Sequence, residues 1–326
     1  MWIARIYLVL FIILTWSLTG CTPKINAMNL TPAITSFPSI TATPKPTLET
    51  IRGSLGNQIA TLEVNMPRRD SEGYVIPTTQ EQADFGKLIA MMMTNELRQA
   101  VDLATKNNYT MSYYVDRGDN DAVSYLLREQ EPIQKGWGLY TFRLESTSNI
   151  IIEAPHPIYD RRTPSVALDI YRALDARALM VAGAHRNANS DGSADVAHAK
   201  ESIFQSIHIA LTREIEATSG NAIILQIHGF HASKHKGYPQ VVFGLGEKPL
   251  PQEIAIAEKL KEALAKQGIR AGVCTGVESN LLELCAKTNV QGSVTDEGAF
   301  IHIELDENIR DHDDALVAAL VEVFGS

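Results

Sequence analysis

Cysteine is scarce in this chain: Cys21, Cys274 and Cys285 are the only three. No framework of several disulfides is therefore available, and beside Cys21 the one pair to consider is Cys274 with Cys285. Their spacing makes a closed loop feasible, but two buried thiols fit the sequence equally well. Basic charge is in the minority, with 29 Lys and Arg against 38 Asp and Glu for a net charge of −9, and no basic block stands out. That balance argues against nucleic acid as a partner. No Gly-x-Ser-x-Gly stretch occurs, which removes the sharp strand-to-helix elbow of many serine hydrolases. No internal repeat is visible either.

The N-terminus has a composition of its own. Arg5 forms a short basic region, Ile6 to Trp16 is an unbroken hydrophobic run, and Leu18-Thr-Gly20 closes it with small residues before Cys21. We read residues 1–20 as a bacterial lipoprotein signal peptide and Cys21 as the lipidated residue, since the run is short for a membrane span. The protein is then expected in the cell envelope, extracytoplasmic and held to a membrane by its lipid. Residues 21–50 are rich in Thr and Pro, as in Thr41-Ala-Thr-Pro-Lys-Pro46, and form a solvated tether. Residues 51–326 are long enough to bury the core of a single domain.

Within that domain the patterning changes once. A helix is expected over 80–106, where Phe85, Leu88, Ile89, Met92, Ala100, Val101 and Ala104 share a face, and the Met91 to Met93 run reads as core filler. Three alternating runs, 110–115, 122–127 and 138–145, predict an antiparallel meander at one edge. Arg117-Gly118-Asp119 between two of them reads as turn chemistry. After Asn149, strands (149–154, 178–183, 222–228, 240–243, 270–274, 299–305) alternate with helices (164–176, 195–217, 251–267, 311–324). Such alternation predicts an α/β fold: a mixed, mostly parallel sheet covered by helices on both faces.

The residues that could carry chemistry follow the strands. In Asn149-Ile-Ile-Ile-Glu153-Ala-Pro-His156-Pro-Ile-Tyr-Asp160, two prolines force a turn that displays an imidazole and then a carboxylate. Ala222-Ile-Ile-Leu-Gln-Ile-His228-Gly229 ends in a second His, where Gly229 lets something approach closely. Phe300-Ile-His302-Ile-Glu304 brings a Glu to the end of a third strand, either as a general base or as an ion-pair partner of Arg310. Chemistry in open α/β sheets collects at such strand ends, and two His with an acid and a further Glu is the inventory of a catalytic zinc site. Arg186, beside His185 and Asn187, has the fork that binds a substrate carboxylate. His231 and His235 are further candidates for substrate contact, Asp195 is read as the N-cap of helix 195–217, and His198 would lie in that helix's first turn.

Taken together, His156 with its following acid and Thr163, the strand ending His228-Gly229, Thr288-Asn-Val-Gln-Gly292 and the Phe-Ile-His-Ile-Glu304 strand resemble a zinc hydrolase superfamily. That superfamily comprises the zinc carboxypeptidases, N-formylglutamate amidohydrolases and poly-γ-glutamate hydrolases. The resemblance covers roughly residues 149–310 and implies a zinc-exopeptidase-like fold. It implies His156, Asp160 and His228 as zinc ligands, Glu304 as base and Arg186 as the contact for a substrate carboxylate; Asn187 and His231 join Arg186, on position alone, as expected contacts for a small-molecule or peptide substrate. The expected activity is hydrolysis of an amide or peptide bond. The acid departs from the superfamily pattern: it is Asp160, four residues after the His, where a Glu three residues after is usual, so Glu153 stands as the other acid to weigh. A binding lipoprotein that kept the fold without the activity is the alternative.

Overall fold

The computed structural model describes residues 48–275, 281–295 and 297–325. The signal peptide, Cys21 and almost all of the tether lie outside the described residues. The elements begin with strand β1 (Thr50–Gly53) and helices α1 (Leu55–Asn65), α2 (Thr79–Met93) and α3 (Leu97–Lys106). Strands β2 (Tyr109–Asp116), β3 (Ala122–Glu129), β4 (Leu139–Phe142) and β5 (Ile150–Ala154) follow. Helix α4 (Thr163–Ala173) leads to β6 (Ala178–Val181), and α5 (Ile203–Ser219) leads to β7 (Ile223–Gly229) and β8 (Val241–Gly244). Helix α6 (Pro251–Lys266), β9 (Ala271–Cys274), β10 (Ala299–Leu305), α7 (Glu307–Asp311) and α8 (Asp314–Phe324) complete the order.

The strands form one sheet in the order β1-β2-β3-β4-β6-β5-β7-β10-β8-β9. Its centre, β6-β5-β7-β10, is all parallel. Helices cover both faces, as the α/β pattern predicts. Alternation along β5 decides which side chain meets which layer: Ile150, Ile152 and Ala154 join the core under α1, α4, α6 and α8, and Ile151 joins the core under α2, α3 and α5. Burial on both faces explains the apolar run Ile150 to Ile152. The chain leaves β5 through α4 to β6 on one side and returns through α5 to β7 on the other, so the strand order reverses at β5. A crevice opens outside the carboxyl ends of strands at such a reversal, and it is here that β5 and β7 end.

Four features differ from the sequence reading. The expected helix 80–106 is two helices: Asn95 adopts a left-handed conformation (φ 62°), and Thr94 Oγ1 bonds back to Ala90 O at 2.9 Å. Hydrophobic periodicity passes over the break because both helices pack on one core. The expected helix 195–217 starts only at Ile203, where Ser202 Oγ caps Gln205 N at 3.0 Å; Asp195 is therefore not its N-cap. The meander β2-β3-β4 is antiparallel as read, but it is not the edge, because β1 adds in parallel to β2. The final expected helix, 311–324, is short α7 followed by α8 from Asp314. Cys274 and Cys285 are joined by a disulfide, which resolves the alternative that the sequence left open.

Candidate metal centre

The turn after β5 is built by its own backbone. Asp160 N–H donates to His156 O at 2.9 Å, and Thr163 donates to Asp160 O through both N–H (3.1 Å) and Oγ1 (2.8 Å). Helix α4 starts there, with Pro164 in its first turn where the missing N–H costs nothing. The turn faces the end of β7. Buried Arg310 clamps the two loops together, donating to Arg161 O (2.6 Å) and Phe230 O (3.1 Å). This is the close approach that Gly229 permits, because a Cβ there would lie 2.7 Å from Arg310 Nε. Arg310 thus binds backbone carbonyls, and the ion pair with Glu304 that the sequence allowed is not formed.

Three of the sequence candidates meet at this place. His156 Nδ1 lies 3.2 Å from Asp160 Oδ2 and His228 Nδ1 lies 3.4 Å from the same oxygen. Their side chains are almost wholly buried, and one ligand atom from each of the three falls within 4.8 Å of the others. Tetrahedral zinc with bonds of about 2.0–2.1 Å needs ligand-to-ligand edges of about 3.3–3.4 Å; the two separations, 3.2 and 3.4 Å, lie close to that edge. Glu304 lies beside them, in register with His228 on the neighbouring strand. Its Oε1 faces His302 Nε2 at 3.1 Å, and its buried Oε2 has no hydrogen-bond partner. His228 lies against His302, with ring centroids 4.1 Å apart and planes tilted by 31°.

Electrostatics separate the two imidazoles. Burial disfavours charge on His156, but Asp160 and Asp195 beside it outweigh burial and raise its pKa. Burial, with His302 and His156 nearby, pushes His228 well below the ordinary value and keeps it neutral. Burial alone would raise Asp160, yet the hydrogen bond and charge of His156, joined by His228, hold it well below the carboxylate range.

An outer acid supports the centre. Asp195 Oδ1 accepts from His156 Nε2 at 2.9 Å and lies 3.1 Å from His198 Nδ1, and its Oδ2 pairs with Arg186. Arg186 Nη1 lies 3.5 Å from His156 Nδ1, and its guanidinium sits over the Tyr159 ring. A carboxylate on the far nitrogen of an imidazole is the usual way to orient a metal-ligating His. Asp195 was missed as a site residue because the polar run before α5 resembles a helix start; His185-Arg186 ahead of Asp195 and His198 was the available signal.

The remaining candidates lie differently. Glu153 shares Ile151's face of β5 and is fully buried between His208 Nδ1 and Gln226 Nε2, both at 2.8 Å. Asn187 N–H bonds His185 Nδ1 at 3.0 Å in the loop next to Arg186. His231 is exposed and bonds Glu307 at 2.5 Å, and His235 pairs with Glu283 at 3.4 Å. Among the described residues, neither Glu153 nor His231 belongs to any grouping able to hold a metal.

No family model matches this chain, and no curated protein matches it. Solved structures that match include an N-formylglutamate amidohydrolase from Ralstonia eutropha JMP134, at 11% identity and a TM-score of 0.34, covering 56% of this chain and 94% of that one. A metallo-carboxypeptidase from Burkholderia cenocepacia matches at 13% identity and a TM-score of 0.36, covering 72% of this chain and 67% of that one.

Proposed function

We propose that this chain is a zinc-dependent hydrolase of an amide or peptide bond, acting on a carboxylate-bearing substrate at the cell surface. The observation that carries this reading is the convergence of His156 Nδ1 and His228 Nδ1 on Asp160 Oδ2, beside a buried Glu304 oxygen that bonds nothing. Two imidazoles and one carboxylate suit zinc better than a hard cation that takes oxygen only. His156, Asp160 and His228 would hold the ion. Bound there, zinc supplies Lewis acidity to the scissile carbonyl and lowers the pKa of a water.

The chain's own residues do the rest. Glu304 takes the proton of the attacking water at Oε2 and delivers it to the leaving amine nitrogen, while His302 holds Oε1. Arg186, already paired with Asp195, keeps further N–H donors for the substrate's carboxylate, with Asn187 beside it. His231, exposed and bonded to Glu307, belongs to the same proposal as a further substrate contact. Lipidation at Cys21 and the 21–50 tether belong to the same proposal and account for placing the enzyme in the envelope.

The test is hydrolysis of N-acyl amino acids and peptides by zinc-loaded protein, wild type against Glu304→Gln. Turnover is expected to fall about 10²–10⁴-fold in the variant, with zinc retained. Zinc binding by the wild type without turnover of any amide, peptide or ester would instead make this a binding lipoprotein.

A further inference from the structure

His228 is oriented by amides where His156 is oriented by a carboxylate. Its Nε2 lies 2.7 Å from Oε1 of Gln226, two residues earlier on the same face of β7. Which of the two groups donates depends on which end of the Gln226 amide points at the ring, and the buried network around it answers from two directions. On one side Gln226 Nε2 donates to Glu153 Oε2 at 2.8 Å, and the other oxygen of that carboxylate is held by His208. On the other side the backbone N–H of Gly292, which can only donate, binds Asn289 Oδ1 at 3.0 Å. That turns Asn289 Nδ2 toward Gln226 Oε1, at 2.5 Å.

Gln291 gives the same answer. Its Nε2 donates to the backbone carbonyl of Val196 at 3.0 Å, which leaves its Oε1 to accept from Gln226 Nε2 at 3.2 Å. Both anchors present the Gln226 oxygen to His228. In an interior this dry, lone pair against lone pair at that separation is costly, so the ring must offer N–H there. An imidazole that ligates a metal has only one N–H; with that proton on Nε2, the Nδ1 lone pair is turned to Asp160 Oδ2 across 3.4 Å and is open to a cation between them.

We infer that Gln226 is a positioning residue which, locked by Glu153 and Asn289, holds His228 as its Nε2–H tautomer and so presents Nδ1 for metal ligation with His156 and Asp160. The inference rests on the zinc reading and deepens it: Glu153 serves the centre from behind, through one amide, and does not touch the ion. A tautomer set in advance removes a rearrangement from metal binding.

Two readouts test it. In metal-free, ¹⁵N-labelled wild-type protein, ring nitrogen–proton correlations are expected to show His228 protonated at Nε2. Zinc affinity, measured by competition with a chelator, is expected to weaken about 10–100-fold in Gln226→Met. It should weaken by a smaller factor in Glu153→Gln, which keeps the shape but removes the charge that holds Gln226 Nε2 and leaves the amide to Asn289 and Gln291 alone. An Nδ1–H His228 in a wild-type protein that binds zinc would overturn the inference alone, as would wild-type affinity in a folded Gln226→Met. Failure of the wild type to bind zinc, with His228 still Nε2–H, would overturn the zinc reading and leave the tautomer assignment standing. If Gln226→Met does not fold, the wild-type correlation and Glu153→Gln decide the matter.

Discussion

Two sets of buried carboxylates in this molecule are satisfied in opposite ways. In the N-terminal half, Glu129 accepts from the backbone N–H groups of Gln134 (2.8 Å), Lys135 (2.6 Å), Gly136 (3.0 Å) and Trp137 (3.4 Å). Asp116 accepts from Leu55 N and Gly118 N, both at 3.0 Å, and from Arg172. Both acids are finished by the fold: one shapes the loop into β4, and the other ties the start of α1 to the end of β2. At the ends of β5, β7 and β10 the fold leaves the acids unfinished. Asp160 Oδ2 meets two imidazole nitrogens, and Glu304 Oε2 meets nothing. A buried carboxylate oxygen without a donor is costly, so its persistence points to a ligand or a proton as the missing partner. The difference separates acids finished by the fold's own donors from acids left open at the strand ends.

The comparison can be broken by substitution. Glu129→Ala strands up to four backbone donors, each costing about 1–3 kcal/mol when buried and unpaired. Stability should fall by at least about 3 kcal/mol in denaturant unfolding, while the zinc affinity of the folded fraction stays at the wild-type value. Glu304→Gln should do the reverse. The metal-free variant is expected to be more stable than wild type by about 0.5–1 kcal/mol, as when a site built for function is relaxed; a marked loss of stability would mean that Glu304 is a structural acid like Glu129.

How much of this was legible in the sequence follows from how each residue is constrained. Ile150 to Ala154 announce a buried strand because the run is short, β-branched and closed by Pro155, which sets it apart from a helix where periodicity alone would not. His156, His228 and Glu304 announce themselves by following such strands; the strand order β6-β5-β7 that brings the first two together was not legible, because alternation does not fix which way each crossover steps. Helix α1 went unread although Leu55, Ile59 and Leu62 are its buried stripe, because it is short and follows a four-residue strand, β1, with little apolar signal. Asp195 was hidden by the mistaken helix start at 195. Gln226 and Glu153 were hidden for a different reason: a polar residue inside an apolar strand shows its use only when its partners, Asn289 and Gln291 among them, arrive from elsewhere in the chain.

The central claim is that His156, Asp160 and His228 hold one zinc ion, and the most direct measurement is metal content per folded chain. Wild-type protein, stripped and reloaded, should carry one equivalent of zinc by elemental analysis, and His156→Ala and His228→Ala should each carry almost none while keeping the wild-type circular dichroism spectrum. Stoichiometric zinc that neither substitution disturbs, or no zinc in the wild type, would contradict the account.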